Sequence, residues 1–431
     1  MVGFIKKWTE SSLILKICIG LIIGTILGMA VPQLTMIGII GESFVSALKA
    51  IAPILVFALV SSALSRAVEG IGERFKTVII LYFLSTFFAA MIAVFVSYLF
   101  PLNLTLTNAS SVTPLGGFDE IISNMLLGIF SNPLYSLSNG DYLGILFWAI
   151  VFGICLKKVA SDSTKDIMDD FADALTMIIR GIIQFAPFGV MSIVFSIVSK
   201  NGLNVFVQYG ELMLLLVGCI LIVALIFNPF IISLLLRRNP YPLVFTCLKE
   251  SGITAFFTRS SAANIPINMI VCEKLGLDED FYSISIPLGS TINTSGAAIT
   301  ITVMTLGVCH TLGISADLPT TIILCIIATL AACGASGVAG GSLLLIPMAC
   351  SLFGIPSDVS MQAVAVGFVI GVVQDSFETA LNSSSDAIFS ATAEYYDRMK
   401  KGEPMNFLGE YAKDKKKSNK INNIIIKKFI K

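Results

Sequence analysis

The sequence predicts an all-α polytopic membrane protein of eight transmembrane helices and two re-entrant helical hairpins. Three observations carry that expectation. Of 431 residues, 55% are hydrophobic and 13% charged, with a mean hydropathy of +0.88, which leaves too little charge to cover a soluble surface. Apolar runs near the ~20 residues that a bilayer requires recur along the chain. Beyond Leu236 the runs are interrupted by polar and glycine-rich breaks. Hydrocarbon tolerates unwound backbone only where it is buried in protein or lines a wet cavity.

In chain order, the first span is residues 13–31, whose only charge is Lys16. Its length, and the absence of a small-residue cleavage site after it, read as a span rather than a leader. The next runs are 37–64, 78–100, 142–156, 175–198 and 212–236. Basic residues set the orientation. Lys6, Lys7, Arg66, Arg74, Lys76, Lys157, Lys158, Lys165, Arg237 and Arg238 fall in every other loop, all on one side, and the intervening loop 101–141 has no Lys or Arg. Both termini are therefore expected in the cytoplasm. The tail agrees, with Lys413, Lys415, Lys416, Lys417, Lys420, Lys427, Lys428 and Lys431. It reads as a solvated end able to meet anionic membrane lipid. Glu42 and Lys49, seven apart in the second run, and Arg180 in the fifth are expected to be ion-paired or snorkelling.

Composition also excludes function classes. Lys plus Arg equals Asp plus Glu at 28 each, so net charge points to no nucleic acid. The 9 Cys are scattered singly without a CxxC, and His310 is the one histidine, so neither a disulfide framework nor a transition-metal centre is indicated. HExxH and GxSxG are absent, and an enzyme is not expected.

The C-terminal half is organised differently. Run 242–271 is broken by TRSSAANIP (258–266), run 284–308 by GSTINTSG (289–296) and run 319–352 by ACGASGVAGGS (332–342). An apolar stretch, 363–373, then leads into Asp375, Glu378, Asn382 and Asp386, which one helical stripe would carry with Thr379 beside it. Each carboxylate at membrane depth costs roughly 2.5–3.5 kcal/mol, so these groups must face protein, water or an ion. Two hairpins, each followed by a polar helix, are the sequence sign of a carrier with a site made of discontinuous helices. Ser260, Ser261 and the 337–341 run would form the tips. Asp386 with oxygens from Asn382, Gly289 and Asn293 would make an all-oxygen nest suited to a hard cation.

TRSSAANIP, IPLGSTINTSG, ASGVAGGS and VQDSFETALNSSSD, in this order, resemble the dicarboxylate/amino acid:cation symporters, and the resemblance runs from the first span through Asp386. It implies a sodium-coupled importer in a bacterial cytoplasmic membrane: a homotrimer with inverted repeats, in which a transport domain moves like an elevator against a scaffold. The implied division is 1–77 and 101–200 as scaffold, 78–100 and 205–392 as transport domain, and 393–431 as tail. Carried over, Ser261 beside Ser260 and the Arg259 carbonyl would touch the amino acid, and Val338 and Gly340 would cap it. Asp375 would take its ammonium, and Thr379 and Asn382 its carboxylate. Gly289, Asn293, Asn382 and Asp386 would form one sodium site. Carbonyls of Thr291, Ala332, Cys333 and Ala335 would form a second.

Two departures shape the expected substrate. Members that carry acidic substrates have an arginine where this chain has Glu378, which instead suits serine or threonine as a hydrogen-bond acceptor for the small hydroxyl. The family aspartate of a further sodium site is Ser295 here, leaving Tyr82, Ser85 and Thr86 as a weak third site. No tightly bound cofactor is implied, with Na+ the coupling ion. Proton coupling through Glu378 is the alternative within transport, and an ion channel the alternative outside it.

Overall fold

The computed structural model describes residues 13–66, 72–106, 130–334 and 340–412. Every regular element among them is helical, and they fall into two compact units. The first comprises Met1–Ala67, Phe87–Cys219 and Ala297–Asp375; the second comprises Val68–Thr86, Ile220–Gly296 and Ser376–Lys431.

In the first unit, α1 (Leu13–Ala30) packs along a helix, Ala186–Asn201, that is α6 in chain order. The sequence allows this because Gly20, Gly24 and Gly28 recur every four residues. A Cβ at Gly20 would lie 2.3 Å from the Pro187 carbonyl oxygen, and one at Gly24 would lie 2.2 Å from that of Met191. Small residues at this spacing let two backbones touch, the usual basis of helix association in lipid. Valine at Gly24 is expected to cost about 1–3 kcal/mol or more, read as a lower thermal unfolding midpoint in detergent. Between these helices in sequence come α2 (Gly38–Ser65), α3 (Glu73–Leu99), α4 (Tyr142–Val159) and α5 (Asp162–Gln184). Ser192 fastens α6 to α2: its hydroxyl accepts from Gly41 N–H at 2.8 Å and donates to the Ile37 carbonyl at 2.6 Å.

The run 175–198, expected as one span, is two helices. α5 is amphipathic, with Leu175, Ile179 and Ile183 buried and Asp162, Asp170 and Asp173 exposed, and it meets α6 at Phe185 with a 53° bend. Pro187 in the first turn of α6 supplies no N–H and cannot continue the α5 ladder. Arg66 pairs with Asp169 at 2.7 Å and with Asp166. Arg180 is an exposed position on α5.

The second unit holds the start of α3 and a series of short helices. α7 (Val205–Ile222), whose residues through Cys219 belong to the first unit, runs through a π-helical turn, Val223–Phe227, into α8 (Asn228–Leu236). α9 (Tyr241–Cys247) continues through a second π turn, Leu248–Gly252, into α10 (Ile253–Thr258). α11 (Ser261–Lys274) and α12 (Glu279–Ile292) follow. Val78, Leu243, Cys247, Cys272, Phe281 and Phe389 are among its buried core side chains. In the α11–α12 loop, Asp278 pairs with Arg74 at 2.6 Å, and that guanidinium holds the carboxyl below its usual range.

The first unit continues with α13 (Ser295–Thr311, whose first two residues belong to the second unit), α14 (Leu318–Gly334) and α15 (Ile346–Ser351). α16 (Ser357–Lys401) is one 45-residue helix that passes from the first unit into the second after Asp375. Among the described residues five helical segments are long and apolar enough to cross a membrane, six if α5–α6 counts as one bent span. The lysine-rich tail from Lys413 onward lies outside the described residues.

Candidate functional site: an oxygen nest between α12 and α16

Two of the three breaks expected from the sequence are present but shorter, and the third, 332–342, lies partly outside the described residues. TRSSAANIP narrows to Arg259 and Ser260: Arg259 is left-handed at φ 51°, and Ser260 is extended and caps α11, its hydroxyl accepting from Ala263 N–H at 3.2 Å. The cap lets α11 start at once, so Asn264 and Pro266 are helical. GSTINTSG narrows likewise to Asn293 and Thr294, between the last residue of α12 and the first of α13.

Asn293 stands at that break and faces α16. Its Nδ2 donates to Asp386 Oδ1 at 2.7 Å, to Ser385 Oγ at 2.8 Å and to the Asn382 carbonyl at 3.0 Å. Asp386 is fully buried, and Asn293 is 1% exposed. Asp386 Oδ2 and Asn293 Oδ1 accept no hydrogen bond among the described residues. Gly289 gives them room, since a Cβ there would lie 2.8 Å from both Asp386 Oδ1 and Tyr82 Oη. A buried carboxylate oxygen without a donor carries a desolvation cost of several kcal/mol. A hard cation bound by oxygens removes that cost. Gly289, Asn293, Asn382 and Asp386 are thus brought together, and the donor set fits sodium.

Next to the nest lies a hydroxyl network. Ser85 Oγ donates to Asn228 Oδ1 at 2.9 Å and lies 3.0 Å from Ser295 Oγ; Thr86 Oγ1 lies 3.5 Å from Ser295 Oγ and donates to the Tyr82 carbonyl at 2.9 Å. Tyr82 Oη points to the nest side instead, lying 3.1 Å from the Ser285 carbonyl, 3.4 Å from the Asp386 carbonyl and 3.2 Å from Ser390 Oγ. Ser85, Thr86 and Ser295 are therefore grouped, with no carboxylate among them.

Glu378, Thr379 and Asn382 follow on α16, each 6% exposed. Asn382 Oδ1 accepts from Gly296 N–H at 2.8 Å, which leaves its Nδ2 as a donor for a ligand. A Cβ at Gly296 would lie 2.8 Å from Glu378 Cα and Cγ, so the start of α13 rests on the Glu378 stem. Ser261 is the first residue of α11, and Thr291 Oγ1 donates to the Leu288 carbonyl at 2.7 Å.

In the first unit, Gly340 has φ 73°, and its N–H reaches Asp375 Oδ1 at 3.3 Å. Ala332 is fully buried, and Cys333 Sγ lies 3.3 Å from the Thr329 carbonyl. Ala335 and Val338 lie outside the described residues.

Sequence reasoning missed the groups that fix these elements. Asn264 Nδ2 reaches Ser383 Oγ at 2.8 Å and Ser251 Oγ at 2.9 Å, and Asn268 Nδ2 reaches the Ser383 carbonyl at 2.9 Å, tying α11 to α16. Two asparagines one turn apart in an apolar helix were the available signal.

With this geometry in hand, comparison with known proteins is decisive: the profile of the sodium:dicarboxylate symporter family matches residues 13–395. The chain belongs to that family. Among its relatives is a serine/threonine transporter SstT of Bifidobacterium adolescentis, 55% identical over 402 residues, covering 93% of each chain. The protein of the same name in Streptococcus agalactiae is 54% identical over 396 residues, 91% of this chain and 98% of the relative. That of Streptococcus thermophilus is 52% identical over the same length and shares. Membership in a sodium symporter family implies Na+ as the coupling ion and marks the chain as a membrane transporter.

Proposed function

We propose that this chain imports small neutral hydroxy amino acids, serine and threonine, in symport with sodium. The observation that carries the reading is the pair of buried oxygens, Asp386 Oδ2 and Asn293 Oδ1, that find no donor among the described residues of a symporter-family chain. Relatives named for serine and threonine supply the substrate class.

In this reading sodium enters the nest of Gly289, Asn293, Asn382 and Asp386 and removes the cost of the bare carboxylate. Because Asn382 also offers Nδ2 to the amino acid carboxylate, ion and substrate share a side chain and favour each other's binding, the reciprocity that symport requires. Thr379 adds a hydroxyl to the carboxylate and Asp375 takes the ammonium. By the family pattern, Ser261 and the Arg259 carbonyl would touch the amino acid, and Val338 and Gly340 are the positions that would cap it. By the same pattern, Thr291, Ala332, Cys333 and Ala335 are the positions whose carbonyls would serve a second sodium. Ser295 leaves the hydroxyl group of Ser85 and Thr86 a weak third site.

Glu378 sets specificity. At an effective dielectric near 20, two like charges ~4 Å apart repel by about 4 kcal/mol, which excludes aspartate and glutamate while the carboxylate accepts from a serine or threonine hydroxyl. The rest of the reading follows the family: eight spans and two hairpins, both termini in the cytoplasm of a bacterium, and a homotrimer whose transport domain (78–100 and 205–392) moves as an elevator.

The test is uptake of radiolabelled serine into sealed proteoliposomes. An inward sodium gradient should drive accumulation, threonine should compete and aspartate should not. Accumulation driven by a pH gradient without sodium would instead favour proton coupling through Glu378, whose buried carboxyl motivates that second reading.

A further inference from the structure

A cavity of about 430 Å³ in the first unit is lined by four charged side chains: Glu42 and Lys49 of α2, Lys200 in the last turn of α6, and Asp358 in the first turn of α16. Its volume is that of a small-molecule pocket. None of the four makes an ion pair or hydrogen bond among the described residues. Elsewhere in the same unit charges do pair, as Arg66 does with Asp169 at 2.7 Å.

Position on the helix explains why these charges stay apart. Glu42 and Lys49 are seven residues apart, on one face but ~10.5 Å along the axis, whereas residues three or four apart are the ones that meet. A small molecule carrying both signs can bridge such a gap. Two anions and two cations sum to zero, so a lone cation or a lone anion meets as much repulsion as attraction. A molecule with an ammonium beside a carboxylate satisfies both kinds at once. Ile193 and Met361 add apolar wall, which suits a ligand with a short side chain.

We propose that this cavity is a second binding site for a zwitterionic amino acid, separate in its residues from the Asp386 nest and independent of sodium. Its ammonium would meet Glu42 and Asp358, and its carboxylate Lys49 and Lys200. That the amino acid is serine or threonine rests on the transport reading above.

Saturation-transfer NMR on the full-length protein in low-salt, sodium-free N-methylglucamine buffer tests it, because the method detects weak ligands and low salt leaves charge unscreened. Serine should receive magnetisation from the protein. Ethanolamine, which lacks the carboxylate, and 3-hydroxypropanoate, which lacks the ammonium, should bind about tenfold more weakly or worse, the loss expected for one charged hydrogen bond. Glu42→Gln with Lys49→Gln should abolish the serine signal, and Asp358→Asn should weaken it, with thermal midpoints checking that each variant is folded. A signal that survives the double variant, or ethanolamine binding as well as serine, overturns the proposal. So does the lack of a sodium-free signal from protein that still takes up serine with sodium. Protein that shows no serine signal or uptake under any condition overturns the transport reading, and the second site with it.

Discussion

Replacing Asp386 with Asn should strip serine uptake of its sodium dependence. The Asp386 Oδ1 atom accepts from Asn293 Nδ2 at 2.7 Å, and Oδ2 has no donor among the described residues. Asparagine keeps the shape and removes the charge. Loss of one charged ligand is worth about 1.5–3 kcal/mol, tenfold to more than a hundredfold in sodium affinity. The sodium concentration for half-maximal uptake should rise by that factor, so that at concentrations that saturate the wild-type chain the remaining uptake responds little to the gradient. Ser385→Ala separates charge from fold. It removes a neutral acceptor of the same Asn293 amide, at 2.8 Å, and should cost about 1 kcal/mol with sodium dependence retained. Equal loss in both variants would mean that the nest only holds α12 to α16.

Changing Glu378 to Arg should abolish serine uptake and let aspartate compete. The side-chain stem has room to stay in place, because Gly296 packs on its Cα and Cγ. Sign reversal turns a repulsion of about 4 kcal/mol for an acidic side chain at ~4 Å into an attraction of similar size. Competition by aspartate against any residual serine signal is the readout. Glu378→Gln divides the two coupling readings. If Glu378 only accepts a hydrogen bond, glutamine should leave sodium-driven serine uptake within about tenfold, one hydrogen bond's worth. If it carries the proton, uptake driven by a pH gradient should vanish.

How much of this was legible in the sequence differs by element. The stripe from Asp375 to Asp386 was fully legible, because helical periodicity follows from spacing alone, and α16 carries all five residues on one helix. The existence of the breaks at 258–266 and 289–296 was legible from their polar residues, but their extent was not. Ser, Asn and Thr favour turns and caps equally well, and the Ser260 cap and the single turn at Asn293 confine the unwinding to two residues each. The bend at Phe185 was written in Pro187 and in the acid-rich face of α5, yet a count of apolar residues from 175 to 198 passes over both. Partners such as Asn228, Ser285 and Ser390 were out of reach, since each joins helices far apart in the chain. The Gly20, Gly24 and Gly28 stripe could have been read from its period, and its contact with α6 gives that period a meaning.

The central claim is that the buried oxygens around Asp386 carry the ion that drives the amino acid. Serine-dependent entry of radioactive sodium into proteoliposomes at zero membrane potential measures it directly. An inward serine gradient should pull sodium in with the wild-type chain and fail to do so with Asp386→Asn. Serine entering the vesicles with no accompanying sodium, or sodium entry undiminished in Asp386→Asn, would contradict it.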